Sequence, residues 1–182
     1  MAGWILLASV VLLCLYVLVL YNGLIKLRNS IENAWAQIEV QLRRRHDLIP
    51  NLVETVKGYA AHERDTLEAV TRARNAGVGA GGVAEQARAE NVITSALKSL
   101  FALSEAYPNL KANQNFLTLQ EELSGTEGRI AYARQFYNNS VFRYNTKIGS
   151  FPAMLIAGLL QFRPREYFEA DCTSRGPVQV DF

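Results

Sequence analysis

The sequence predicts an all-α protein: an N-terminal transmembrane helix continuing into an antiparallel four-helix bundle with long helices. Three observations predict this. Trp4 to Tyr21 is an apolar run whose only polar member is Ser9. From Leu24 onward, apolar residues recur in steps of three and four, the spacing of one helix face. No stretch shows the alternation expected of a strand.

The N-terminal run spans about 27 Å as a helix at 1.5 Å per residue, close to the thickness of a bilayer core. Trp4 and Tyr21 stand at its ends, where aromatic belts form. A cleaved signal peptide would need a basic leader and a small-residue cleavage site. No basic residue precedes Trp4 and no Ala-x-Ala follows, so the run reads as an uncleaved anchor with residues 4–21 in the lipid bilayer. Lys26, Arg28 and Arg43 to Arg45 follow the run. The positive-inside rule then places the following domain in the cytoplasm, the periplasm being the alternative.

The elements follow in order. Residues 1–23 are assigned to the anchor, 24–150 to the bundle. Asn22-Gly23 could break the first helix, but the stripe Leu24, Leu27, Ile31, Trp35, Ile38, Leu42 resumes at once. One helix to about Arg44 is therefore expected, Gly23 costing on the order of 1 kcal/mol. Arg43, Arg44, Arg45, His46 and Asp47 form a polar corner, with Asp47 as N-cap and Pro50 in the first turn of a second helix. That helix runs from Leu48 to about Asn75. Its stripe is Ile49, Leu52, Val53, Val56, Ala60, Leu67, Val70.

Gly77 to Gly82 formally matches a dinucleotide-loop pattern, but that loop requires a preceding strand, so the segment reads as a connection. The third helix begins near Val83 and is interrupted at Tyr107-Pro108. A further piece carries Leu110, Phe116, Leu119 and Leu123, and Ser124 to Gly128 reads as a turn with Thr126 as a cap. The fourth helix has the stripe Ile130, Ala133, Tyr137, Val141, Tyr144, Ile148 and breaks at Gly149-Ser150. Residues 151–169 read as a short amphipathic segment, packed on the bundle or lying in the membrane interface with Arg163 and Arg165 at headgroup level. Residues 170–182 read as a disordered tail.

Little in the chain suggests chemistry. The formal net charge of +2 implies no polyanion partner, and no basic face with interleaved aromatics points to nucleic acid. Cys14 and Cys172 lie in unlike surroundings, so no disulfide framework is expected. His46 and His62 are the only histidines, and His62-Glu63 lacks the second histidine of a zinc motif. No nucleophile pairs with a histidine base, so neither catalytic residues, metal nor cofactor is expected. Two interaction sites remain. One is the corner Arg43 to Asp47, where a helix C-terminus favouring cations explains the charge equally well. The other is the stripe Tyr137, Asn138, Tyr144, Asn145, which reads either as a docking face or as core with polar tips.

The run Ala34-Trp35 through His46-Asp47-Leu48-Ile49-Pro50-Asn51-Leu52-Val53 to Tyr59-Ala60-Ala61-His62-Glu63 resembles the signature of the bacterial LemA family. Tyr107-Pro108-Asn109-Leu110-Lys111-Ala112, Phe116, Leu119-Gln120, the two Tyr-Asn pairs and Phe151-Pro152 agree with it. The resemblance implies a membrane-anchored helical bundle of the bacterial cell membrane without an assigned enzymatic activity. The expected function is a non-enzymatic scaffold or adaptor that self-associates at the membrane as a homo-oligomer. The alternative is an accessory or regulatory subunit of a membrane enzyme such as a protease.

Overall fold

Helical periodicity extends over nearly the whole chain, and the computed structural model, which describes residues 1–169, follows it. Helix α1 spans Ala2–Lys57, α2 Arg64–Gly79, α3 Val83–Ser104, α4 Pro108–Lys111, α5 Gln114–Gly149 and α6 Ala153–Leu159. No strand occurs among the described residues. The tail expected at 170–182 lies outside them.

The expected corner at Arg43 to Asp47 is not a corner. Helix α1 passes through it without interruption, so Asp47 is a mid-helix residue rather than an N-cap. The reason lies in the phase of the buried face. Ile31, Ala34, Ile38, Leu42, Arg45, Ile49, Leu52 and Val56 are all buried, and Arg45 fills its place in that series. Pro50 sits inside the helix and has no N–H for the carbonyl of His46, four residues back. Arg74 Nε donates to that carbonyl at 3.2 Å and takes up the bond that Pro50 cannot make. The helix ends instead at Lys57, where the N–H groups of Tyr59 and Ala60 both close onto the Val56 carbonyl at 3.0 and 2.8 Å. The second helix is accordingly Arg64–Gly79, not one starting at Leu48.

The turn expected at 124–128 is also helical. Thr126 is fully buried, and its hydroxyl donates to the Leu123 carbonyl at 2.7 Å, one turn back in the same helix. Leu123, Thr126 and Ile130 thus lie on one buried face that carries α5 across Gly125 and Gly128. Three boundaries fall where expected. A connection falls at 80–82, the third helix stops before Pro108, and α5 ends at Gly149. Of three connections expected near 45, 79 and 125, only the one near 79 exists.

The chain divides into two compact units. The first comprises residues 1–37 and 133–166. Here the Ser30 and Ser140 hydroxyls lie 3.5 Å apart, and the Trp35 ring packs on Tyr137 at 5.6 Å. These pairs run in opposite chain directions, so the two helical segments are antiparallel. Leu24, Ile31 and Ala34 face Tyr137, Val141, Tyr144 and Ile148 as the buried set, with Ala153 and Ala157 of α6. Ala34 takes the fully buried position, and Trp35, expected in the seam, is half-buried beside it. Toward the N-terminus the burial stops at Leu20, and Trp4, Ile5, Leu6, Leu12, Leu13 and Leu18 are all exposed. The first part of α1 is long and apolar enough to cross a membrane.

The second unit comprises residues 38–132 and 167–169 of those described. Ile49, Leu52 and Val56 of α1, Leu67 and Val70 of α2, Ile93, Leu97 and Leu100 of α3, Leu110 of α4 and Phe116 and Leu123 of α5 form one apolar core. Each such side chain contributes about 1.5–3 kcal/mol by leaving water, and every helix of the unit supplies at least one.

Candidate interaction sites

The five residues of the predicted corner separate into two groups. Arg43, Arg44 and Asp47 are exposed, and Arg44 reaches Glu122 at 3.4 Å. Arg45 and His46 turn inward and are buried. Their partner is Glu90 of α3. Arg45 donates to Glu90 Oε2 at 3.3 Å and to Thr94 Oγ1 at 2.8 Å, and His46 Nε2 lies 2.8 Å from Glu90 Oε1. Gln86 Nε2 donates to the same carboxylate oxygen at 3.0 Å and to the Gly77 carbonyl at 3.1 Å. Gly77 of α2 lies against the cluster. A Cβ there would stand 2.8 Å from Ile93 Cδ1 and 2.9 Å from His46 Nε2, so only glycine fits without displacement.

Arg45, His46 and Glu90 are buried in the same unit as that apolar core. Burial pushes the Arg45 guanidinium below its ordinary pKa, against the opposing pull of Glu90 and Glu127. Such a buried pair adds little net stability relative to an apolar replacement, because desolvation offsets the attraction. It does fix which turn of α1 faces which turn of α3, since sliding either helix would bury an unpaired charge. Arg45 and His46 therefore face the interior of their unit, while Arg43, Arg44 and Asp47 stay exposed. Glu90, Gln86, Thr94 and Gly77 were not singled out by sequence. Glu90 did carry a signal: it falls in phase with Ala87, Ile93, Leu97 and Leu100, the only charge on that face.

The tyrosine–asparagine stripe is engaged within the chain. The Tyr137 hydroxyl donates to the Glu166 carbonyl at 3.0 Å. The Asn145 side chain donates to the Arg165 carbonyl and accepts from the Arg165 N–H, both at 2.9 Å. This two-point clasp satisfies an otherwise irregular backbone. Tyr144 is buried and Asn138 half-buried. Burial raises the pKa of both Tyr137 and Tyr144 above the ordinary phenol value. Tyr137 and Asn145 hold down the segment after α6.

A third polar set closes one end of the second unit. Tyr107 donates to Glu63 at 3.0 Å, and Asn113 donates to the Tyr59 hydroxyl at 2.9 Å. The hydrogen bond to Glu63 raises the Tyr107 pKa. These bonds tie the connection after α1 to the residues around α4. The two stretches are the ones that, with the His46-to-Val53 run, carry the family resemblance. A family model described as LemA family matches residues 34–182. The chain belongs to the LemA family.

The match begins at Ala34, beyond the apolar run, so LemA membership does not rest on that run. Similar proteins include the magnetosome protein MamQ 2 of Paramagnetospirillum magneticum, 26% identical over 196 residues, 93% of this chain and 72% of that protein. Protein LemA of Metamycoplasma hominis is 29% identical over 164 residues, 88% of this chain and 73% of its own. The magnetosome protein MamQ of Magnetospirillum gryphiswaldense is 25% identical over 184 residues, covering 87% and 68%. None of these names states a reaction. Of the predicted anchor ends, Trp4 is exposed, and Tyr21 meets the ring of Phe162 edge-on at 6.1 Å.

Proposed function

We propose that this LemA-family protein is a non-catalytic, membrane-anchored scaffold. Its apolar N-terminal helix lies in the bilayer, and its helical region is a bundle that self-associates at the bacterial cell membrane. The observation that carries the reading is the course of burial along α1. Around Trp4 to Val19 the apolar side chains are exposed on nearly every side, and from Leu20 onward one face becomes buried without a break in the helix. Exposed apolar surface on all sides of a helix is stable in lipid and costly in water. The chemistry found in the helical region is structural. Among the described residues, the buried cluster of Arg45, His46 and Glu90 is closed by side chains from the same unit, and the Tyr137 hydroxyl and the Asn145 amide are taken by backbone.

Self-association has separate support. Helix α5 exposes Phe136 and Phe142, the class of residue enriched at interfaces, and anchoring in a plane raises the effective concentration of the chains. By the charge asymmetry around the span, the helical region faces the cytoplasm. A membrane-impermeant thiol reagent should then leave Cys172, which lies outside the described residues, unlabelled in cells with an opened outer barrier. Ready labelling places it on the outer side. The scaffold reading is tested by purifying the anchored protein in native lipid particles and weighing the complex. A multiple of the chain mass supports it. A single-chain mass contradicts self-association, and a second protein in fixed ratio favours the accessory-subunit alternative.

A further inference from the structure

Beyond α6 the chain turns back, Gln161 taking a left-handed conformation, and lays residues 162–165 along the first unit. The result is a cleft of about 540 Å³ beside the end of the apolar run. Tyr21 and Arg28 of α1, Tyr144 of α5, and Arg163 and Arg165 supply its polar lining.

Its depth relative to a bilayer follows from α1. Tyr21 ends the apolar run, and Arg28 lies about 10 Å further along the helix axis at 1.5 Å per residue. Phe162 touches Tyr21, so Arg163 starts from the level of the last apolar turn. The headgroup layer on each side of the hydrocarbon is about 5–8 Å thick, which is the zone the cleft occupies. Helix α6 points the same way. Its small residues Ala153 and Ala157 pack inward, while Met154, Leu155 and Leu159 are exposed.

The cleft is built for an anion. Its three guanidinium groups meet one carboxylate in ion pairs, that of Glu32, which takes Arg28 at 3.1 Å and Arg165 at 3.5 Å. Arg163 makes no ion pair among the described residues. Tyr144 is only 2% exposed, yet its hydroxyl has no hydrogen-bond partner among the described residues. The residue is buried while its hydroxyl keeps access to the cleft it lines, so the hydroxyl is free to donate to an anion held there.

We propose that this cleft binds the phosphate headgroup of an anionic phospholipid, with Arg28, Arg163 and Arg165 supplying charge and the Tyr144 hydroxyl a directed donor. The apolar face of α6 lies at the acyl boundary next to it. The proposal rests on residues 4–21 spanning the bilayer. Free phosphate would offer the same oxygens. The lipid is favoured because the cleft starts at Tyr21, the last residue of the apolar run, and takes in Ile25 and Leu160 beside its arginines.

The test uses the full chain reconstituted in phosphatidylcholine vesicles containing a minor fraction of phosphatidylglycerol. Lipids retained after gentle extraction are counted by native mass spectrometry. Phosphatidylglycerol should be enriched over its share of the vesicle. Arg163→Gln should lower that retention about tenfold, as expected for losing a charge-assisted contact. Tyr144→Phe should lower it about threefold, as for a neutral one. Arg72→Gln, an exposed arginine paired with Glu68 in the other unit, should leave it unchanged. Flotation with pure phosphatidylcholine vesicles reads the span independently. Failure to float removes the span and the proposal with it. Flotation without enrichment, or enrichment indifferent to Arg163 and Tyr144, overturns the cleft alone. Retention abolished by millimolar inorganic phosphate, with that phosphate bound in lipid-free detergent, overturns the lipid as its ligand.

Discussion

Removing the Glu90 carboxylate should be among the most damaging single changes in the helical region. Glu90 accepts from Arg45 at 3.3 Å and Gln86 at 3.0 Å and lies 2.8 Å from His46 Nε2. Arg45 is 2% exposed, and without Glu90 its one remaining partner is the Thr94 hydroxyl. Breaking a buried pair by deleting one member costs about 3–5 kcal/mol, because the other charge stays buried without compensation. Glu90→Ala should fall in that range. Arg45→Met should cost less, about 1–3 kcal/mol, since Glu90 keeps Gln86 and His46 as partners. The double variant Arg45→Met/Glu90→Leu should be near neutral or more stable by roughly 1–4 kcal/mol, as apolar replacements of buried pairs often are. The assay is urea unfolding of the full chain in a fixed detergent, followed by far-ultraviolet circular dichroism. A cost for Glu90→Ala below about 1 kcal/mol, or simple additivity in the double variant, would mean that water reaches the cluster and that it does not set the pairing of α1 with α3.

Gly77→Ala should destabilise by about 1 kcal/mol net, overpacking against Ile93 and His46 outweighing the gain in helix propensity, whereas Gly128→Ala, with open space around it, should stabilise by about 0.5–1 kcal/mol; the same unfolding curves decide both. Trp35→Ala should cost roughly 2 kcal/mol, less than a fully buried tryptophan, because the ring is half-buried against Tyr137. Burial raises the pKa of Tyr137 and Tyr144, so the folded state favours the neutral phenol. Stability from this source is complete below the unfolded value of 10.0 and is lost as pH rises beyond it, and Tyr137→Phe should flatten that decline in a pH series of melting curves.

Helix existence was legible in the sequence, and so were the stops that rest on backbone chemistry. Pro108 opens α4 after α3 has stopped at Ser104, and Gly149 is the last residue of α5; at these two places, unlike at Pro50, Gly125 and Gly128, the local signal stands. The misreadings arose where tertiary partners override local signals. Arg43 to Asp47 followed by Pro50 has the composition of a helix end and a new start. A guanidinium from α2 rescues the carbonyl that Pro50 strands, and a glutamate from α3 makes Arg45 a core residue. Neither partner can be read from residues 43–50. The glycines at 125 and 128 suggested a turn for the same reason, until the buried face through Leu123, Thr126 and Ile130 is taken into account. Of the candidate sites, the stripe at Tyr137 and Asn145 was visible, but its occupant was not, since it is the backbone of Arg165 and Glu166, some twenty or more positions later.

The most direct test of a single helix passing from lipid into a packed core is a scan of nitroxide spin labels along residues 4–56 of the reconstituted protein, reading accessibility to oxygen and to a polar nickel reagent. Oxygen access without nickel access is predicted at every position from Trp4 to Val19. From Leu24 onward, protection from both should recur at Leu24, Ile31, Ala34, Ile38, Leu42, Arg45, Ile49, Leu52 and Val56, without a break across Pro50. Nickel access in the N-terminal run, or a loss of the helical period between Arg43 and Pro50, would contradict it.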